Sequence, residues 1–219
     1  MTRSLLFLSL IPFVTACQNP IEKAARQTAY SAYEMMGVQK RDLLKKRVDE
    51  ARDDEKDASK SFKTALERLK DLYGFNGGKL ESQYDGLKSS YDKASDQSQD
   101  VHNSIRKVET VAQDLFDEWE KEIDELHTPE LKDRSRRTLV RTREKYSEMH
   151  SSLKRSEDQM QPVLLKFKDQ VIFLKHNLNA QAIGSLKKES RSIQRDVENL
   201  IQEMSKSIAA ADQLIKTMD

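Results

Sequence analysis

Histidine is the side chain most often used for acid–base chemistry near neutral pH and for metal binding. The sequence has four, at His102, His127, His150 and His176. None has a second histidine, a cysteine or a carboxylate at the spacing that a closed metal site requires. We therefore interpret all four as solvated side chains on helix surfaces or in turns, and we predict no metal site and no cofactor.

A glycine-rich stretch at residues 74–79 bears a faint likeness to a phosphate-binding loop. Only three residues separate its outer glycines, and Leu80 stands where that loop needs a serine or threonine. No predicted strand precedes the stretch, as the phosphate-binding motif requires. We therefore expect no nucleotide to bind, which argues against an ATPase.

Glu55 is the strongest candidate for a functional acid. It falls in an otherwise apolar row of its predicted helix, and the register between helices places it opposite Ser98. A buried carboxylate can do chemistry, but polar residues in such rows more often set the register of helix pairing. We favour the register role and predict that the protein is not an enzyme.

Residues 1–16 have the layout of a secretory signal. Arg3 is followed by an apolar run at 5–14 that is too short for an ordinary transmembrane helix. The segment V-T-A-C, which ends at Cys17, resembles the bacterial lipobox and contains the only cysteine. The resemblance implies that acyl chains such as palmitate anchor Cys17, and Gln18 after it implies the outer membrane, facing the periplasm. The alternative is a secreted protein with a free thiol.

The composition favours long helices with charged outer faces. Of the 219 residues, 34% are charged, and only six are glycine and four proline. Lys and Arg number 38 against 37 Asp and Glu, so the chain is almost neutral. That balance gives no electrostatic reason to expect nucleic acid as a partner.

Apolar residues recur at alternating steps of four and three through 80–126 and again through 139–174. Such a sustained repeat indicates coiled-coil packing. Rows matched across short turns predict an all-α fold, an elongated antiparallel four-helix coiled-coil bundle at 38–219. Its long helices are predicted at about 38–73, 79–126, 129–178 and 182–218.

The segment 17–37 is predicted to be the lipidated N-terminus followed by a membrane-proximal helix. Asn19 and Pro20 suit a helix start. The apolar rows before and after Gly37 are out of phase, and glycine is where a helix most easily bends or breaks. We therefore expect a hinge at Gly37, and an interruption of the third long helix at Pro162.

Opposite charges flank the turn at Thr128. Residues 114–125 contain seven acids and one base, and residues 132–145 contain seven bases and two acids. Folding at Thr128 lays one run against the other, so we favour ion pairing over a phosphate-binding patch. The arginines concerned are Arg134, Arg136, Arg137, Arg141 and Arg143.

The turn near 75–78 and the turn near 175–181 lie at the same end of the predicted bundle. Together they offer an aromatic residue, a glycine pair, amides and cations on a rigid scaffold, where recognition often resides. We predict a partner-binding surface here, with simple capping of helix ends as the competing explanation. Its residues are Phe75, Asn76, Lys175, His176, Asn177, Asn179 and Gln181.

Five segments carry a wider resemblance, at 14–17, 34–42, 75–78, 116–120 and 173–182. Together they resemble a bacterial family of helical envelope lipoproteins classed as a domain of unknown function. The resemblance spans nearly all of the mature chain. It implies no reaction, cofactor or site.

These features favour a non-enzymatic, lipid-anchored scaffold of the bacterial cell envelope that binds an envelope protein partner. The alternative is a bundle that opens to lay apolar surface on lipid, as membrane-remodelling and pore-forming helical proteins do. A bundle that inserts should carry an apolar stretch long enough to span a bilayer, and none follows residue 14.

Overall fold

A computed structural model describes residues 20–74, 79–187 and 189–218. These residues form six α-helices and no strand, which confirms the predicted all-α bundle. The predicted signal segment, Cys17, and the turn at 75–78 lie outside the described residues. The helices are α1 (Pro20–Met35), α2 (Lys40–Tyr73), α3 (Leu80–Glu125), α4 (Pro129–His176), α5 (Ala180–Leu186) and α6 (Ser190–Met218).

The chain divides into two compact units, the first ending at Gln39 and the second beginning at Lys40. In the first unit, α1 ends at Met35 in a tight turn. The Gly37 N–H donates to the Glu34 carbonyl at 2.9 Å. Gly37 has a φ of +80°, the left-handed conformation that glycine adopts most easily and that commonly ends helices. The helix therefore stops where the apolar row changes phase.

In the second unit, four long helices pack in a ring: α2 contacts α3, α3 contacts α4, α4 contacts α6, and α6 contacts α2. Apolar side chains from all four helices fill the centre. One layer consists of Ala58, Ala94, Val163 and Ile193, none more than 3% exposed. Removing such side chains from water is the main free-energy term that holds the helices together.

Helix α4 continues through Pro162, where an interruption was expected. Proline removes one backbone donor and crowds the preceding turn, which disfavours a helix. Its neighbours Met160 and Val163 are both buried in the bundle. Tertiary packing on both sides therefore keeps the helix continuous.

The predicted fourth helix is two helices, because α5 ends at Leu186 and α6 begins at Ser190. The Glu189 N–H donates to the Leu186 carbonyl at 3.0 Å, and the Ser190 hydroxyl donates to the Lys187 carbonyl at 2.8 Å. Local bonds of this kind compete with the regular helix ladder. Gly184 weakens the preceding turn further, since glycine is a poor helix former.

The buried row of α3 drifts near its C-terminal end. The 4-3 repeat places Glu122 in the core, but Glu122 is exposed and Ile123 is buried instead. A helix has about 3.6 residues per turn, so a strict heptad row drifts by roughly 20° per heptad. Over the 46 residues of α3, this drift moves the core to the next position.

Candidate functional site

The end of α4, the start of α5 and the turn between them contain five of the seven predicted partner-binding residues. Two of them are asparagines that cap helices. Asn177 donates from Nδ2 to the Phe173 carbonyl at 3.0 Å, and Asn179 Oδ1 accepts the backbone N–H of Ala182 at 2.9 Å. Capping therefore accounts for both, and they carry no evidence of partner binding.

Lys175, His176 and Gln181 are the other three predicted residues of this region, and all are exposed. None makes a side-chain hydrogen bond or ion pair with another residue in the described ranges. They are therefore available for a partner. Phe75 and Asn76, the remaining predicted residues, lie outside the described part of the chain.

Large apolar side chains are exposed on α4 just before this turn. Leu165 is 49% exposed, Ile172 51% and Phe173 38%. We call these three residues the α4 apolar patch. Leu165 and Ile172 are seven residues apart, which places them on the same side of the helix. The patch therefore runs along α4 towards Lys175 and His176.

The α4 apolar patch was not anticipated as a site. Leu165 and Ile172 fall out of phase with the core positions Val163, Phe167 and Leu174 of the same helix. An assignment based on the core row alone leaves such residues without a role. Apolar residues in the wrong phase were the signal in the sequence that could have revealed the patch.

Charged side chains of both signs lie beside the patch, and the basic ones are more numerous. Lys168 lies within one turn of both Leu165 and Ile172, and Lys175 follows at the end of α4. Neither lysine forms an ion pair with another described residue. Lys166 does not belong to this unpaired group, because it forms an ion pair with Asp196 of α6. The surface thus combines exposed apolar side chains with two unpaired lysines and with the exposed Asp169, which lies within one turn of all three patch residues.

Glu55 is a second candidate site, and it is fully buried. The predicted register places it opposite Ser98 of α3, which is half-buried, but its hydrogen-bonding partners come from two other helices. The Ser156 hydroxyl of α4 hydrogen-bonds to Glu55 Oε1, and Ser207 of α6 also reaches the carboxyl. The side chain points into the centre of the ring rather than across the α2–α3 interface.

Burial raises the pKa of Glu55 from 4.5 to about 7, because a carboxylate loses its hydration in the core. The nearby charge of Glu157 acts in the same direction, while the Ser156 and Ser207 hydroxyls act against it. Ser207 donates its own hydrogen to the Met204 carbonyl at 2.8 Å, so Glu55 Oε2 has no hydrogen-bond partner. Glu55 is therefore a neutral acid under acidic conditions.

Ion pairs join the acidic end of α3 to the basic start of α4, as predicted. Arg143 pairs with Glu120 at 2.5 Å, and Arg136 and Lys132 both pair with Asp124, at 3.2 and 3.4 Å. The pairing does not extend to every arginine in the run. Those without an ion pair to a described residue are Arg134, Arg137 and Arg141.

Two histidines also bridge α3 and α4. His102 Nδ1 lies 2.5 Å from Glu157 Oε1, and His150 Nε2 lies 2.6 Å from Glu109 Oε1. Each pair takes its histidine from one helix and its carboxylate from the other, seven residues apart on both. The interpretation of these two as merely solvated is wrong, because their partners come from the neighbouring antiparallel helix.

A protein-family profile, described as a protein of unknown function (DUF2959), matches residues 29–218. The chain belongs to the DUF2959 family. The match includes part of α1 and all of α2 to α6. It confirms the resemblance to a family classed as a domain of unknown function. No curated protein matches the chain.

In the described part of this DUF2959 chain, no helix is long and apolar enough to cross a membrane. The same part holds no group of three or more histidine, cysteine, aspartate or glutamate side chains placed to bind a metal ion. Shallow grooves between neighbouring helices have mixed polar linings, such as the groove between α2 and α3 that Asp57, Lys60 and Lys93 line.

Proposed function

We propose that this DUF2959 protein is a non-enzymatic scaffold of the bacterial cell envelope. Lipid on Cys17 holds it at the outer membrane, facing the periplasm, and it binds a protein partner where α4 meets α5. The observation that carries the binding proposal is the α4 apolar patch beside the exposed Lys175, His176 and Gln181.

Clustered apolar side chains suit protein recognition better than scattered ones. Single exposed hydrophobic residues are normal on protein surfaces, whereas a patch bordered by polar residues marks an interaction site. Leu165, Ile172 and Phe173 form such a group on a rigid helix. The unpaired Lys168 and Lys175 at its edge favour acidic residues around the partner's apolar surface, and the exposed Asp169 among the patch residues favours a basic group within that surface.

The position of the patch in the bundle also supports this role. At the start of α2, Lys40 hydrogen-bonds to Glu118 at 2.6 Å, and at its end the Tyr73 hydroxyl donates to Gln170 at 3.0 Å. Helix α2 therefore carries the chain from the opposite end of the bundle to the end that bears the patch. At about 1.5 Å per residue, its 34 residues span roughly 50 Å. The chain therefore enters the bundle at the end opposite the patch.

Affinity capture from solubilised membranes tests the partner surface. We expect Leu165→Gln with Ile172→Gln to weaken capture of the partner by roughly thirtyfold or more, the effect of losing about 2 kcal/mol at an interface centre. The matched control is Leu131→Gln with Val140→Gln, two residues of α4 that are similarly exposed, at 52% and 56%. This control variant should capture the same protein as the wild type.

Two results would contradict the proposal. Equal loss of capture in both double variants, or in neither, would show that the α4 apolar patch is not the binding surface. Release of dye from lipid vesicles by the wild-type protein would instead favour the alternative, a bundle that remodels membranes. Both double variants must match the wild type in circular dichroism and in melting curves, so that a loss of capture cannot be due to unfolding.

A further inference from the structure

Glu55 lies where three helices meet. Its carboxyl, on α2, is surrounded by Ser156 of α4 and Ser207 of α6, and all three residues are fully buried. The next core positions along α2 are Ala51 and Ala58, which are also fully buried. The carboxyl is therefore enclosed within an apolar core, and among the described residues its hydrogen-bonding neighbours are these two hydroxyl groups from other helices.

The hydrogen bonds that the two hydroxyl groups make indicate whether the protonated or the ionised form of Glu55 suits this part of the core. Each serine has one hydrogen to donate. Ser207 donates to the Met204 carbonyl at 2.8 Å, and the Ser156 hydroxyl lies 2.9 Å from the Leu153 carbonyl. If Glu55 is a neutral acid, its own O–H donates to Ser156 and both serines keep their backbone bonds.

The ionised form fits poorly. A carboxylate at Glu55 can only accept, so Ser156 must give up its bond to the Leu153 carbonyl in order to donate to it. Glu55 Oε2 still has no donor. Buried polar atoms are almost always hydrogen-bonded, and a buried charge without partners is far more costly than a neutral group.

No cation offsets a charge on Glu55 from the described helices packed around it. The charged neighbour that acts on it is Glu157 of α4, which opposes ionisation. The other charged side chains near Glu55 along the bundle form contacts among themselves. They are Glu157 with Lys154 of α4 and His102 of α3, Glu203 with Lys206 on α6, and Arg52 of α2 with Asp212 of α6. Asp54 of α2 faces α3 instead, where Lys107 attracts its charge and Asp100 repels it.

We propose that Glu55 is a proton-binding site that controls how tightly α2, α4 and α6 pack. The protonated acid belongs to the closed core. Ionisation loosens the layer around Ser156 and Ser207, because the carboxylate needs water or a new donor and gains either only when a neighbouring helix moves away.

The direction of the pH effect follows from the two protonation states. In the unfolded chain Glu55 has its ordinary pKa of 4.5, and in the folded chain the pKa is about 7. Between these values the folded state keeps a proton that the unfolded state has lost, so stability falls as the pH rises and levels off above about 7. The difference corresponds to a roughly 300-fold rise in the unfolding equilibrium constant.

Urea unfolding of the full chain between about pH 5 and pH 8 tests this site. Glu55→Gln keeps the shape of the neutral acid but cannot ionise. We expect the wild-type unfolding equilibrium constant, relative to that of Glu55→Gln, to rise roughly 70-fold over this range. The matched control is Glu67→Gln, an exposed residue of the same helix, which should keep the wild-type dependence.

The proposal is wrong if Glu55→Gln shows the same pH dependence as the wild type. A second measurement needs no variant, in case Glu55→Gln does not fold. NMR titration of the glutamate side-chain carboxyl carbons in the wild type should show one carboxyl that titrates near neutral pH. If every glutamate titrates below about pH 5, Glu55 holds no proton in the core and the proposal is overturned.

Discussion

At the scale of single residues, Glu55 stands in a row of α2 whose neighbouring members, Ala51 and Ala58, are apolar and fully buried. An apolar residue of similar volume should fit the same space. Ser156 and Ser207 each have a backbone carbonyl as acceptor. Removing the carboxyl therefore leaves neither hydroxyl hydrogen without a partner.

We expect Glu55→Leu to be more stable than the wild type by about 1–3 kcal/mol at pH 8, because the variant buries no charge. The gain should shrink at pH 5, where the wild-type acid is neutral. Urea midpoints at the two pH values provide the measurement. A variant that is less stable than the wild type at pH 8 would contradict the expectation. Loss of partner capture in a stable variant would show that Glu55 also serves binding.

The position of Glu55 could be predicted from sequence, but its partners could not. Periodicity assigns a residue to the core face of a helix, which requires only neighbours in the same segment. Ser156 is 101 residues away, and only the rotation of the side chain inside the ring selects it over Ser98. The same limit applies to the predicted site, where two of the asparagines cap helix ends. The α4 apolar patch could not be predicted from one segment either, because it depends on which faces of the helices the rest of the bundle leaves exposed.

At the scale of helices, the ends of α2, α3 and α4 lie within about two residues of the predicted limits. Gly74 follows the end of α2 and Pro129 begins α4, which are the positions that these residue types favour. The long apolar repeats predict the helices between such ends. The break between α5 and α6 escaped prediction because the apolar row continues across it. Local hydrogen bonds of Ser190 and Glu189 decide that break, and periodicity does not detect them.

Contacts of His102 with Glu157 and of His150 with Glu109 join α3 to α4. Each imidazole N–H donates a hydrogen bond to a carboxylate of the neighbouring helix, and a hydrogen bond of this kind adds to the free energy of unfolding. We expect the double variant His102→Ala with His150→Ala to be less stable than the wild type by about 1 kcal/mol, because both pairs are partly exposed. Urea unfolding at one fixed pH measures the difference.

The control for this double variant is His127→Ala, because His127 is exposed and its Nδ1 lies 2.8 Å from the Glu125 carbonyl within the same turn. This control should be as stable as the wild type. A double variant that is also as stable as the wild type would argue against a stabilising contact between the two helices.

At the scale of the whole molecule, the proposed anchor makes Cys17 the residue on which location depends. Cys17→Ser removes the only thiol that can carry lipid. We expect this variant to leave the membrane fraction or to keep its signal segment uncleaved, since acyl chains supply most of the membrane affinity of such an anchor. Fractionation followed by mass measurement of the N-terminus provides the test. Wild-type protein that is processed normally when lipoprotein signal peptidase is inhibited would rule out lipidation.

Helix α4 contacts Glu55 through Ser156 and bears Leu165 nine residues further on. A ligand that prefers one packing of this helix must change the affinity of Glu55 for its proton, because coupling between two sites is reciprocal. Complex formation near neutral pH will then be accompanied by uptake or release of hydrogen ions. The heat of association will vary with the ionisation enthalpy of the buffer, and the sign of that variation will tell whether the partner selects the closed or the loosened core.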